Sequence, residues 1–258
     1  MLPVILLAVL LLLLVWGITE ALMPPRLKVH PMGERGIRLI WLSDLHCSRI
    51  NSPKRIRKIV RIIQRASPDA VILGGDYVDR GLSYVEPCIS ILQALKPAAA
   101  LLGNHDVQTK GGKNPRLLTV QTLESYGIRV LYNSACLLEC GGYTLQLIGT
   151  GDCRRDIAYT AHIRREARAD AALLLAHNPD ALPAAAGNLD FDLALCGHTH
   201  GGQVSFFGKP LVTHTKHKQI SRGFSFFRGK PVIVSHGTGT TILPLRFFSV
   251  PSVEVIDL

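Results

Sequence analysis

The sequence predicts one α/β domain carried behind a single N-terminal membrane-spanning helix, and three observations lead there. The chain has 258 residues, enough for one large domain with a well-buried core and too few for two ordinary enzymatic domains plus an anchor. Pro3 to Met23 is a run of Leu, Val, Ile and Ala broken only by Thr19 and Glu20, long enough to cross a bilayer core. Beyond it, short apolar runs alternate with segments of helical periodicity, the pattern of parallel strands flanked by helices.

Taken in order, residues 1–24 read as the anchor. A cleaved signal peptide would need a basic start and a small-residue cleavage site. No Lys or Arg precedes this run, and Met23-Pro24-Pro25-Arg26 follows it. Arg26, Lys28, Arg35 and Arg38 all lie after the segment, so the positive-inside tendency places the domain on the cytoplasmic side of the membrane. Residues 25–36 read as a linker and 37–258 as the catalytic domain.

"IRLIWLS", Ile37 to Ser43, is a buried strand by its continuous apolar run. Pro53 to Ala66 has helix spacing, with Ile56, Ile59, Val60 and Ile63 on one face and Lys54, Arg55, Arg57, Lys58, Arg61 and Arg65 around the rest. That basic surface is a solvated face or a rest for anionic lipid. Strands over Ala70–Leu73, Ala98–Leu102 and Ile128–Leu131 alternate with helices around Val85–Leu95 and Leu117–Tyr126. From Cys136, "CLLECGGYTLQLIG" reads as two strands joined at Gly141-Gly142. A helix near Thr160–Ala167 precedes short strands at Ala172–Ala176, Leu193–Cys196, Gln203–Phe206, Pro231–Ser235 and Val253–Ile256. Two sheets packed face to face with helices outside accommodate both halves.

The net charge of +10 fits nucleic acid, an anionic membrane face or an anionic substrate. Behind a membrane anchor, the anionic leaflet or a phosphorylated lipid is the simpler partner, and nucleic acid is not expected. Six cysteines without a C-x-x-C pair suit a reducing compartment.

The polar residues are most informative where they follow strands. "LSDLH" puts Asp44 and His46 after the first strand, "GGDYVD" puts Asp76 after the second, and "LLGNHD" puts Asn104 and His105 after the third. "LLLAHNPD" and "LALCGHTHGG" end two later strands with His177, His198 and His200. Singly, each reads as a helix cap or a turn residue. Together they deliver Asp, Asn and His to the carboxyl ends of five strands, where open α/β sheets gather ligands. Mixed oxygen and imidazole donors without thiolate suit Mn²⁺ first, with Fe²⁺ or Zn²⁺ as alternatives. Seven donors are too many for one ion. With one bridging carboxylate they make two sites, about 3.5–4 Å apart, the arrangement that clamps an in-line displacement at phosphorus.

Asp44-Leu45-His46, Gly75-Asp76-Tyr77-Val78-Asp79, Gly103-Asn104-His105-Asp106, His177 and Gly197-His198-Thr199-His200 resemble, in order and in full, the motifs of the calcineurin-like metallophosphoesterase superfamily. The resemblance implies a four-layer α/β/β/α sandwich with a dinuclear centre at the strand ends. Asp44, His46 and His200 would hold one metal, Asn104, His177 and His198 the other, and Asp76 would bridge. His105 would be the catalytic histidine, steadying a phosphoryl oxygen or protonating the leaving oxygen.

"GDYVDRG" also resembles the serine/threonine phosphatases, which would pair Asp79 with His105 and set Arg80 on phosphate. The chain departs from them at Asp106, where they carry Glu, and in the block His198-Thr199-His200-Gly201-Gly202-Gln203, which they lack. That block, the leading apolar segment and the closing "GTGTTILPLRFFSVPSVEVIDL" are more similar to a bacterial membrane-associated branch. Some members of that branch hydrolyse the pyrophosphate of UDP-2,3-diacylglucosamine in lipid A synthesis. The expected reaction is hydrolysis of a phosphodiester or pyrophosphate on a phosphorylated, lipid-linked small molecule. A broad-specificity phosphodiesterase or phosphatase, or a nuclease of the same superfamily, is the competing enzyme; a metal-free scaffold or a membrane-binding module is the competing class. Phe206 to Arg222, with Lys209, His214, Lys216, His217 and Lys218 between them, is either a diphosphate or headgroup contact or a solvated basic loop.

Overall fold

A computed structural model of the chain describes residues 1–79, 81–108, 114–152, 160–185, 189–206 and 209–258. The chain begins with helix α1 (Leu2–Leu22), long and apolar enough to cross a membrane. Strands β1 (Arg26–Pro31), β2 (Arg38–Leu42), β3 (Ala70–Leu73) and β4 (Ala99–Ala100) follow, with helices α2 (Pro53–Arg65) and α3 (Val85–Leu92) between the later ones. Then come α4 (Asn104–Val107), α5 (Pro115–Ser125), the hairpin β5 (Ser134–Cys140) and β6 (Tyr143–Gly149), β7 (Ala171–Ala176), α6 (Leu182–Ala185) and β8 (Leu193–Cys196). The short pair β9 (Ser205–Phe206) and β10 (Lys209–Pro210) precedes β11 (Gly223–Phe227), β12 (Lys230–Val234) and β13 (Ser252–Asp257).

Two sheets carry the core. The first has the order β1-β13-β2-β3-β4 and the second β11-β12-β8-β7-β6-β5. β2, β3 and β4 run parallel in one sheet, and β12, β8, β7 and β6 in the other. Period-two alternation divides each apolar strand between two interfaces. Leu39 and Trp41 of β2, with Ile72 of β3, meet Leu145, Leu147, Leu173 and Leu195 between the sheets. Ile40, Leu42, Val71 and Leu73 face the opposite way, onto Ile56, Ile59 and Ile63 of α2, Ile89 and Leu92 of α3 and Leu123 of α5. Each fully buried Ile or Leu contributes about 1.5–3 kcal/mol, so the isoleucine stripe docks α2, with Lys54, Arg57, Lys58, Arg61 and Arg65 left exposed and Arg55 half-buried. The outer face of the second sheet packs on Leu182 and Ala185 of α6 with Phe191 and Ile220. The result is the expected four-layer α/β/β/α arrangement. Trp41 Nε1 donates to the carbonyl of Cys196 at 3.0 Å, joining the two sheets at the strand end that carries His198.

Three expectations differ. Residues 25–36, read as a linker, contain β1, which pairs in parallel with β13 over six residues; its strand character depends on a partner more than 200 residues away. Thr160 to Ala167 is not a helix. The Gln146 side chain captures this segment, its Nε2 donating to Arg164 O at 2.8 Å and its Oε1 accepting from Glu166 N at 3.0 Å, so the backbone groups are satisfied without an i to i−4 ladder. Ile128 to Leu131 reduces to a single bridge, Val130 to Ala100.

Candidate metal centre

Every donor sits one to four residues past the end of a strand, and the backbone there is strained. Asp44, His46, Asp76, His198 and His200 have φ of 55°, 45°, 55°, 69° and 52°, a left-handed region costing of order 1–3 kcal/mol for each such residue. Neighbouring strand ends hold them in it. Asp44 N donates to Gly75 O at 2.9 Å, His46 N to Asp76 O at 3.0 Å and Gly197 N to His177 O at 2.9 Å. Gly103 and Gly197 bring bare backbone against the carboxylates of Asp76 and Asp44, where an added Cβ would collide with them.

This loop geometry points the side chains into one buried cluster. His46 Nε2 and His200 Nε2 are 3.1 Å apart, and His200 Nε2 is 3.6 Å from Asp44 Oδ1. Asp76 Oδ2 lies 3.6 Å from His46 Nε2 and 3.3 Å from His177 Nε2. Two triads therefore form, Asp44 with His46 and His200, and Asp76 with His177 and His198, and the ligand atoms within each lie no more than 4.8 Å apart. Asp76 belongs also to the group with His46 and His105, so it touches both halves. Asn104 Oδ1, at the first position of α4, is buried without a hydrogen-bond partner. Converging imidazole nitrogens, two carboxylates and an unsatisfied amide oxygen make a donor set that fits divalent ions.

The electrostatics agree. Burial takes His46 down to about 3, against the pull of Asp76, and His200 well below the usual imidazole range; both are neutral at pH 7, as ligands must be. Burial pushes Asp44 up to about 6. Asp76, despite burial, is held well below the usual carboxylate range by His177 and His46, and His177, despite burial, is raised to about 10 by Asp76. Because the His177 value lies above the ordinary imidazole value, its pairing with Asp76 strengthens the metal-free site below about pH 6.5. That contribution is lost as the pH rises through about 10. An ion bound at His177 Nε2 must expel this proton. Binding at pH 7 is therefore expected to release a proton, and affinity to climb with pH. Titration calorimetry in two buffers of different protonation enthalpy checks this: unequal heats are expected, and equal heats would contradict it.

His105 lies at the rim. Its backbone N–H donates to Asp76 Oδ1 at 2.8 Å, and its ring meets His46 edge-on at 4.7 Å. Nδ1 pairs with the backbone carbonyl of Asp79 at 2.8 Å, while the Asp79 carboxylate is 3.6 Å away. The main chain of Asp79 thus sets the ring, which the sequence reading gave to its side chain. Arg80 lies outside the described residues. The opening, about 140 Å³, is lined by Asp76, Asn104, His105, His198, His200, His214, Thr241 and Ile242, so among the described residues of the basic segment 206–222 it is His214 that reaches it.

Two contributors escaped the sequence reading. Asp106, read only as a departure from Glu, accepts from Asp76 N at 2.6 Å, Tyr77 N at 2.9 Å and Gly103 N at 2.9 Å. It clasps the loop of Asp76 to the loop of Asn104. Burial, and then the Asp76 charge, push it up to about 7, with the amides of Gly103 and Tyr77 pulling the other way. Asp106→Ala would leave three buried N–H groups unpaired, at about 1–3 kcal/mol each. The midpoint of thermal unfolding is expected to fall by at least about 6 °C, measured by calorimetry on the full chain. The second is the segment after β12. Gly239 N donates to Asp44 O at 2.7 Å, and a Cβ at Gly237 would meet the Asp44 side chain at 2.5 Å. The glycine pair following a buried strand was the available signal.

Comparison with known proteins agrees with this geometry. The family model described as calcineurin-like phosphoesterase matches residues 37–202. The chain is 33% identical over 232 residues to phosphodiesterase YaeI of Escherichia coli (strain K12), covering 86% of this chain and 82% of that one. It is 29% identical over 254 residues to the uncharacterized metallophosphoesterase YkuE of Bacillus subtilis (strain 168), covering 88% and 81%. In fold it is similar to the NAD nucleotidase NadN of Haemophilus influenzae, with a TM-score of 0.50, 14% identity, and coverage of 79% of this chain and 45% of that one.

Proposed function

Because the chain belongs to the calcineurin-like phosphoesterase family, we propose that it is a dinuclear-metal phosphohydrolase that cleaves a phosphodiester or pyrophosphate bond in a lipid-linked small molecule, at the cytoplasmic face of the inner membrane. The observation that carries the reading is the pair of ligand triads meeting at Asp76. Asp44, His46 and His200 would hold one ion, Asn104, His177 and His198 the other, and Asp76 would serve both, with Mn²⁺ as the first candidate. When bound, such ions supply an acidified water and neutralise phosphoryl oxygens.

The chain's own residues do the rest. Nδ1 of His105 pairs with Asp79 O, which leaves Nε2 as the nitrogen available to a substrate at the rim. In its protonated form that nitrogen donates to the leaving oxygen as the bond to phosphorus breaks. His214, Thr241 and Ile242 border the same opening and face the part of the substrate beyond the reacting phosphorus. The E. coli relative's name supports a diester; the apolar α1 and the +10 charge support an anionic amphiphile. UDP-2,3-diacylglucosamine is the first candidate. A hydrolysis screen with Mn²⁺, Fe²⁺ and Zn²⁺ would compare it with nucleotide sugars, bis(p-nitrophenyl) phosphate and p-nitrophenyl phosphate. Faster turnover of the lipid-linked pyrophosphate or a diester is expected; preference for the monoester would overturn the reading.

A further inference from the structure

α1 is more than a tether. Its last turn and a half is built into the domain: Gly17, Glu20 and Ala21 are buried. Gly17 O accepts from Arg246 N at 3.0 Å, and the Glu20 carboxylate, an acidic exception in the apolar run, accepts from Ser249 N at 2.7 Å. A Cβ at Gly17 would strike the Phe247 ring. Arg55 of α2 donates to the final carbonyls of the helix, those of Ala21, Leu22 and Met23. The end of the helix is therefore packed into the domain that carries the metal site.

The surface beside this joint is apolar and exposed. Trp16 packs edge-on against Phe248 at 4.9 Å, and Phe248 lies 6.4 Å from Phe206. Val204 bridges to Phe247, and Leu211 N donates to Val204 O at 3.0 Å. Gln203 Nε2 donates to Leu243 O at 3.2 Å, so a patch spreads from α1 across three adjacent segments. Phe206, Leu211, Ile242 and Leu243 are 58%, 68%, 76% and 57% exposed. Ile242 also lines the metal opening. A contiguous apolar surface of this kind needs an occupant.

The occupant is indicated by continuity with α1. A 21-residue helix is about 32 Å long, close to the ~30 Å of a bilayer core. A full span therefore draws in the turn that is docked against Arg246 to Ser249, and the patch beside that turn comes to the interface with it. On the other side of the helix exit, Lys54, Lys58, Arg61 and Arg65 border a groove of about 580 Å³ beside Leu22 and Pro24, which puts positive charge where anionic headgroups lie. We propose that Phe206, Leu211, Ile242, Leu243 and Phe248 form a collar inserted in the interfacial layer of the bilayer that α1 spans, so that the metal opening faces the membrane at headgroup level. This rests on the membrane placement proposed above and goes beyond the proposed reaction.

The test uses the full chain in lipid nanodiscs. Leu243→Cys, Leu211→Cys and Glu139→Cys are each labelled with an environment-sensitive fluorophore, with identically treated wild-type protein as the blank for native cysteines. Glu139 is exposed at the opposite end of the sheets, next to the Gly141 turn that packs on Ile37. With lipids carrying a nitroxide at the headgroup, the labels at 243 and 211 are expected to lose emission and the label at 139 to keep it. Unquenched, water-like emission at both 243 and 211 would overturn the collar. Hydrolysis of bis(p-nitrophenyl) phosphate by the same samples separates the two ideas. Quenched labels on a protein inactive with every metal would support the collar and count against the proposed reaction, and unquenched labels on an active one the reverse.

Discussion

Asp76→Asn is expected to abolish hydrolysis while leaving the fold intact. The carboxylate has two jobs. Oδ2 lies within 3.6 Å of His46 and 3.3 Å of His177, one from each half of the centre, and Oδ1 accepts the backbone N–H of His105. An amide keeps the shape and one acceptor but loses the charge that would hold two cations side by side. Removing a single preorganised electrostatic contact at a reacting centre costs about 10²–10³ in kcat; here one substitution removes such a contact from both sites, so the fall should be at least that large. The amide also removes the counter-charge that raises His177, so the proton released on metal binding should diminish. Steady-state rates on bis(p-nitrophenyl) phosphate check the first effect, and unfolding curves check that the fold survives. Residual activity within tenfold of wild type would contradict the bridging role.

His105→Ala is expected to lower kcat by about 10²–10⁴, the range for losing a positioned general acid, while metal content is retained. His105 borders the opening but lies outside the two buried triads. The loss should depend on the leaving group. A p-nitrophenolate departs with little help from a proton, whereas an alkoxide needs one, so the variant should suffer most on alkyl esters. A loss independent of leaving group would assign His105 to steadying phosphoryl oxygen. Loss of bound metal would assign it to the ligand set.

The candidate metal donors were legible in the sequence because each stands just beyond a short apolar run, and a parallel strand buried on both faces reads as such a continuous run. Asp44, Asp76, Asn104 and His177 needed only that placement, and the structure brings them to one edge. Contributors that depend on distant partners were not legible. Asp106 sits in the same motif, yet its clasp on Asp76 N and Gly103 N follows from a loop conformation. The segment near Thr160 has helical composition, but Gln146, on a neighbouring strand, decides its path. Glu20 looked like an imperfection in the anchor until Ser249 appeared beside it. Local pattern locates elements and the polar residues that end them; side-chain capture of backbone across long sequence separations overrides it.

The most direct measurement is metal stoichiometry joined to activity. Metal-free full-length protein is titrated with Mn²⁺ while bound ion and bis(p-nitrophenyl) phosphate hydrolysis are followed together. A centre built on two triads with Asp76 in common requires two ions per chain, with hydrolysis rising as the second site fills and both sites emptied in Asp76→Asn. Full activity with one ion per chain, or two ions still bound after Asp76→Asn, would contradict it.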